Sequence, residues 1–250
     1  MQLGRIKQHS EPEPDHLSPY QYIAGQLWLK EYPVHYAGCD FNSRMTVIRL
    51  HDGTIMLHSP CEIDEQLAEE IEGLGPVAFI IAPGTYHYQH IASAQEAFPD
   101  AETFICPGIE HKCPDIKFDW ILSDKADPRW EPDFDQVLVR GTRYIWEIAF
   151  FHKPSKTLIL VDLLENFTDE TAGVNWPLKF WWKAVFHMWN HPKAAPEYQL
   201  GWKDKTAAKK SLQRILEWDF ERIIMAHGDL IDTKCKEIVT DAWSTPLECD

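Results

Sequence analysis

Hydrophobic and polar positions change period several times along this chain, and each change marks an element. Leu27-Trp28-Leu29 and Met45-Thr46-Val47-Ile48-Arg49-Leu50 read as strands, the second joined to Ile55-Met56-Leu57-His58 through His51-Asp52-Gly53-Thr54, a hairpin turn with the favoured Asp-Gly pair. Ile63, Leu67 and Ile71 then recur at i, i+4 and i+8, which predicts a helix from Ser59 to about Gly73 with acids in its first turn. Val77 to Ala82 is a continuous apolar run and reads as a buried strand, followed by a short helix over about Ala92 to Ala97 that stops at Pro99 and a short strand Thr103-Phe104-Ile105. Val137-Leu138-Val139, Ile145 to Phe151 and Thr157 to Val161 read as three successive strands, the last two joined by the turn Lys153-Pro154-Ser155-Lys156. An aromatic helical segment comes next. It is followed by an amphipathic helix over Lys205 to Trp218 with Ala208, Leu212, Ile215 and Leu216 on one side, a strand from Arg222 to Ala226 and a last helix near Asp232 to Trp243. Strands first, then α and β mixed in both halves, predict an α/β protein of two sheets with helices outside.

Residues 1–20 carry Glu11-Pro12-Glu13-Pro14-Asp15 and no apolar periodicity, the composition of a loosely ordered arm. Residues 21–250 read as one domain, since no Gly/Ser-rich or Pro-rich linker interrupts them, and 44% hydrophobic residues in 250 suffice for a large core. Trp176, Trp181, Trp182, Trp189 and Trp202 fall in one stretch with Phe180, Phe186 and Tyr198, so a Trp-rich helical insertion at about 176–204 must cover something apolar. The core, a substrate pocket under a lid and a homodimer contact are its three uses.

The formal charge of −15 opposes nucleic-acid backbones and anionic membranes, so neither is an expected partner. No stretch approaches the roughly 18 apolar residues of a membrane span, and the opening residues lack the apolar core of a signal peptide, which makes the cytoplasm the expected location. The six cysteines form no CxxC pair and read as reduced.

Chemistry gathers where strands end. His87-Tyr88-Gln89-His90 follows the run Val77–Ala82, Asp162 follows the run Thr157–Val161, and His227 follows Arg222–Ala226. Neutral imidazole and carboxylate suit zinc or iron, and three protein ligands leave a coordination position for water or substrate.

This order of elements, with candidate ligands at those strand ends, resembles the metallo-β-lactamase superfamily from about Gly25 to Ile231, with Ser43-Arg44-Met45-Thr46-Val47 and Phe150-Phe151-His152-Lys153-Pro154 closest to a branch of unknown role. The resemblance implies a four-layer αββα sandwich with a metal site at one edge of its two sheets. The superfamily's loop Thr-His-x-His-x-Asp-His matches in part: His90 takes the final His, His87 the middle His, Gln89 stands for the Asp, and the first His is lost around Thr85. Asp162 matches the Asp that bridges two metals and His227 the last His ligand, while Gly141-Thr142-Arg143-Tyr144 lacks the His expected before the next strand. The resemblance therefore implies one divalent metal ion, zinc or iron, at His90, Asp162 and His227, with His87 as a further ligand. It also implies a hydrolase of a small-molecule substrate that uses metal-activated water, with Asp162 or His58 taking the proton. Arg143 and Gln89 are the expected substrate contacts, Arg143 for an anionic group. Two other readings stay open, a non-catalytic scaffold or binding protein and a mononuclear iron redox enzyme. His152, at a hairpin turn away from the site, is expected to be structural.

Overall fold

The computed structural model describes residues 19–248. Residues 1–18 of the arm expected at 1–20 lie outside them, as does Cys249, while Tyr20 of that arm belongs to a strand. The first half is a seven-stranded sheet whose spatial order follows the chain: β1 (Tyr20–Ile23), β2 (Leu27–Tyr36), β3 (Cys39–Arg49), β4 (Ile55–His58), β5 (Val77–Ala82), β6 (Glu102–Ile105) and β7 (Trp120–Ile121). Strands β1 to β4 pair antiparallel through tight turns, whereas β4 to β7 pair parallel through crossovers that carry α1 (Glu65–Glu72), α2 (Ile91–Ala97) and α3 (Ile109–Lys112). The second sheet has four strands, β8 (Phe134–Leu138), β9 (Ile148–His152), β10 (Thr157–Ile159) and β11 (Arg222–Ile224), in the order β11-β10-β9-β8. The long excursion from β10 to β11 holds α4 (Trp176–Phe180), a π-helical turn Trp181–Val185, α5 (Pro196–Gly201) and α6 (Lys205–Leu216), and the chain closes with α7 (Cys235–Ala242) and α8 (Ser244–Leu247).

Alternation along the strands builds the layers, because successive side chains of a strand leave opposite faces. Ile48, Met56, Ile148 and Phe150 meet between the two sheets together with Trp130 and Phe134. Their neighbours Val47, Ile55 and Leu57 point the other way, onto Leu67 and Ile71 of α1. Ala149, Phe151, Leu158 and Ile223 likewise face Leu212 and Ile215 of α6, with Val239 of α7 and Trp243. Helix, sheet, sheet and helix are thus the four expected layers.

Two of the departures from expectation have local causes. The first helix begins only at Glu65, with Asp64 as its N-cap accepting from the Leu67 N–H at 2.8 Å, because Ser59 turns with φ +56° and leads a loop across the sheet end. β1 went unforeseen because Tyr20–Ile23 is half exposed and carries no buried face to set a period. Among the described residues no helix is long and apolar enough to cross a membrane.

Candidate metal centre

Three loops at one edge of the sandwich supply the site. The loop after β5 folds sharply at Gly84 and is held to the segment before β9: Thr85 N–H donates to the Trp146 carbonyl at 2.9 Å, and Ile148 N–H to that of Pro83 at 2.7 Å. This turn sends His87 inward. The loops after β10 and β11 run side by side, with Asp229 N–H on the Asn166 carbonyl at 2.8 Å. Gly228, at φ +86°, permits that approach, since a Cβ there would overlap the Asn166 backbone. Buried Arg44 of β3 ties the same loop to the first sheet, donating to the carbonyls of Met225 and Gly228 and pairing with Glu31 at 2.6 Å.

His87, Asp162 and His227 meet at this edge, all three buried, each offering a ligand atom within 4.8 Å of the others. They form the one such cluster of His, Cys, Asp or Glu among the described residues. The Asp162 Oδ1 lies 3.3 Å from His87 Nε2 and 3.4 Å from His227 Nε2. Those separations are long for charge-assisted hydrogen bonds. They match the spacing of about 3.3 Å between two ligands that each sit about 2.0–2.1 Å from a tetrahedral zinc.

The outer partners fix which nitrogen faces inward. His227 Nδ1–H donates to the Asn42 carbonyl at 3.1 Å, so a neutral ring turns the lone pair of Nε2 toward the carboxylate. Two acceptors facing one another call for a cation or a proton between them. His87 Nδ1 bonds the Ser59 hydroxyl at 2.8 Å, which is the role of the loop that displaced the start of α1. Asp162 Oδ2 is buried with no hydrogen-bond partner among the described residues, a further sign of an acceptor awaiting a cation. Burial pushes the Asp162 carboxyl up, but His87 and His227 outweigh it and hold it well below the usual carboxylate range.

Glu147 anchors the carboxylate loop from beneath. Fully buried in β9's approach, it accepts the N–H groups of Val161 at 2.8 Å, Asp162 at 3.0 Å and Leu163 at 2.7 Å. Burial and the charge of Asp162 push its carboxyl up to about 8 against these three donors. Two more carboxyls stand near Asp162. Glu165 is buried, accepts the Trp182 indole N–H at 3.1 Å and is raised well above the ordinary value by burial, and half-buried Glu197 is raised for the same cause and meets the Tyr36 hydroxyl at 3.5 Å. Tyr36 packs edge-on against Tyr86, over whose face the Lys112 ammonium sits at 3.3 Å.

The expected ligand set is corrected at one position. His90 stands outside the cluster: it is the residue before α2, its ring bonds Glu62 at 3.0 Å and packs edge-on against Tyr32. The turn at Gly84 aims His87 inward, and three residues later the chain has left the sheet edge to enter α2. His87 occupies the place given to His90. His58 is buried against Phe150, and burial, with His87 nearby, pushes its imidazole down to about 3, so it is a neutral ring behind His87 and stands outside the cluster. Gln89 is exposed, and Arg143 is exposed with its guanidinium over Tyr144. His152 is structural as expected, bonded to the Ser155 hydroxyl at 2.7 Å. Glu147, Ser59, Asn42, Glu165 and Glu197 were not foreseen, although Glu147 is a lone acid inside an otherwise apolar strand run, a signal of a paired buried carboxylate.

Among solved structures, the chain is similar to a metallo-β-lactamase from Pontibacter korlensis, at 12% identity and TM-score 0.60 over 92% of this chain and 98% of that one. It is also similar to one from Erythrobacter litoralis, at 13% identity and TM-score 0.63 over 91% and 96%. A third, the mono-zinc form of a metallo-β-lactamase from Pseudomonas aeruginosa, aligns at 13% identity and TM-score 0.58 over 90% and 93%. At such identities the likeness establishes the metallo-β-lactamase fold. No curated protein matches the sequence. The family model described as a domain of unknown function, DUF4336, matches residues 24–197, well over half of the chain, and the protein therefore belongs to that family.

Proposed function

We propose that this chain is a metal-dependent hydrolase of a small-molecule substrate, with one divalent cation held by His87 Nε2, Asp162 Oδ1 and His227 Nε2. The observation that carries this reading is the buried Asp162 carboxylate, set between two imidazole nitrogens at ligand-to-ligand spacing with its second oxygen unpaired. A zinc ion with three protein ligands keeps a position for water and lowers the pKa of that water toward about 7. The chain's own groups then have distinct tasks. Ser59 and the Asn42 carbonyl hold the two rings in the ligating orientation. Glu147 fixes the backbone of Asp162, whose Oδ2 has no other partner and is the base we assign to the proton. Tyr36, Tyr86 and Glu197, in contact with one another, are the side chains we assign to the substrate side of the centre. Two imidazoles and a carboxylate suit iron(II) as well as zinc, so the metal's identity is a separate measurement.

Elemental analysis of protein purified without chelator, before and after zinc or iron supplementation, tests the centre. About one ion per chain is expected for the wild type and for His90→Ala, and strong depletion for His87→Ala, Asp162→Ala and His227→Ala. Metal content well below one ion per chain after supplementation refutes the centre. Chromogenic esters, lactones and phosphodiesters, assayed with and without chelator, then test hydrolysis.

A further inference from the structure

Building on the metal centre proposed above, we infer that Tyr32 is a positioning residue of that centre: acting through Ser59, its phenol oxygen holds His87 in the tautomer that can bind a cation.

The two imidazoles of the centre are tethered in unlike ways. His227 Nδ1 meets the Asn42 carbonyl at 3.1 Å, and a carbonyl only accepts. A neutral His227 therefore keeps its proton on Nδ1 and its lone pair on Nε2. His87 Nδ1 instead meets the Ser59 hydroxyl at 2.8 Å, and a hydroxyl both donates and accepts. When Ser59 donates to Nδ1, the His87 proton sits on Nε2 and points at Asp162 Oδ1, 3.3 Å away, where it keeps a metal out. When Ser59 accepts from Nδ1–H, Nε2 is free to ligate, but the Ser59 proton then needs an acceptor of its own.

Tyr32 supplies that acceptor. It pairs with Ser43 across β2 and β3, and its hydroxyl lies in hydrogen-bonding reach of both Ser43 and Ser59. Ser43 Oγ is buried and has no other partner among the described residues. The four groups form a one-way chain, from His87 Nδ1–H to Ser59, from Ser59 to Tyr32 and from Tyr32 to Ser43, in which each link polarises the next. Both middle members are held in place. Ser59 keeps φ +56°, a region that a residue with a Cβ enters only where its surroundings require it, and its N–H donates to the Ile81 carbonyl at 2.9 Å. The Tyr32 ring packs edge-on against His90 with centroids 5.5 Å apart, and His90 is in turn bonded to Glu62 at 3.0 Å. His90, outside the cluster, thus serves the centre by fixing Tyr32.

The test is competition for zinc with a chromogenic chelator on the full chain, comparing wild type with Tyr32→Phe, Ser59→Ala and the double variant, together with histidine ring-nitrogen NMR spectra of the zinc-loaded proteins. Tyr32→Phe removes one oxygen and leaves the ring on His90, so zinc should bind about fivefold more weakly, the worth of one neutral hydrogen bond. Ser59→Ala should weaken binding about tenfold or more. Adding Tyr32→Phe to Ser59→Ala should bring no further loss, because Tyr32 acts only through Ser59. In the spectra the Nδ1–H signal of His87 should move in Tyr32→Phe while that of His227 stays, whereas a general loosening of the fold would move both. Wild-type zinc affinity in Tyr32→Phe overturns the inference, as do additive losses in the double variant or a shift of both rings. Failure of the wild type to hold any ion after zinc or iron supplementation is a separate outcome, which removes the centre and this inference with it.

Discussion

Replacing Glu147 by Gln separates two accounts of the site, because the substitution keeps the shape of the side chain and removes only its ability to be an anion. Three backbone N–H groups point at this carboxylate from Val161, Asp162 and Leu163, at 2.7–3.0 Å, and its side chain is fully buried. The carboxamide has one oxygen to accept and places an NH₂ where the second oxygen stood, so one or two of the three amides lose their acceptor and face a donor. An unpaired buried donor destabilises by about 1–3 kcal/mol, which puts the expected loss at about 2–4 kcal/mol for Gln and higher for Ala, where all three are orphaned. The same bonds fix the backbone of Asp162, so metal affinity should fall about 10–100-fold although Glu147 touches no ion. Urea unfolding at pH 9, above the raised pKa of about 8, where the carboxyl is ionised, reads the first effect, and competition for zinc with a chromogenic chelator at the same pH reads the second. A Gln variant with wild-type stability and affinity at that pH would mean that the three amides do not depend on the charge of the carboxyl, which refutes its role as an anionic anchor.

Other expectations follow from single contacts. Burial holds His152 down at about 4 from 6.5, so its contribution to stability is whole above about 6.5 and is lost as pH falls toward 4. That loss is about 3 kcal/mol at most, and urea midpoints from pH 7 to pH 4 should flatten in His152→Asn. Gly228→Ala should destabilise by about 3 kcal/mol or more, measured by thermal unfolding, since the new methyl would overlap the Asn166 backbone at positive φ. Arg44→Leu leaves the Met225 and Gly228 carbonyls and Glu31 unpaired beside the His227 loop. It should lose about 3–5 kcal/mol and bind metal more weakly, whereas normal chelator competition would show that the loop holds its pose unaided.

The elements that bury both faces were legible from pattern alone: Val77–Ala82 is a strand at both of its expected ends, because a continuous apolar run between turn residues leaves little choice. Pairing order was not, since nothing local tells β4 to lie parallel to β5. At the site, Asp162 and His227 were legible because each directly closes an apolar run. The choice between His87 and His90 was not legible, because it turns on Gly84 and Thr85 being stitched to Trp146 and Ile148, residues far along the chain. The π-helical turn at Trp181–Val185 left no mark in the spacing of a segment that is aromatic on every side. Glu147 could have been read from its isolation among Ile145, Trp146, Ile148 and Ala149.

His87 leaves the seven-stranded sheet, while Asp162 and His227 leave the four-stranded one. Sliding one sheet over the other would part these three side chains before it broke any rung of either ladder, so the triad acts as a strain gauge for the interior seam. Repacking at Phe150 or Phe134, within that seam, should therefore register as altered cation affinity even where unfolding curves barely move.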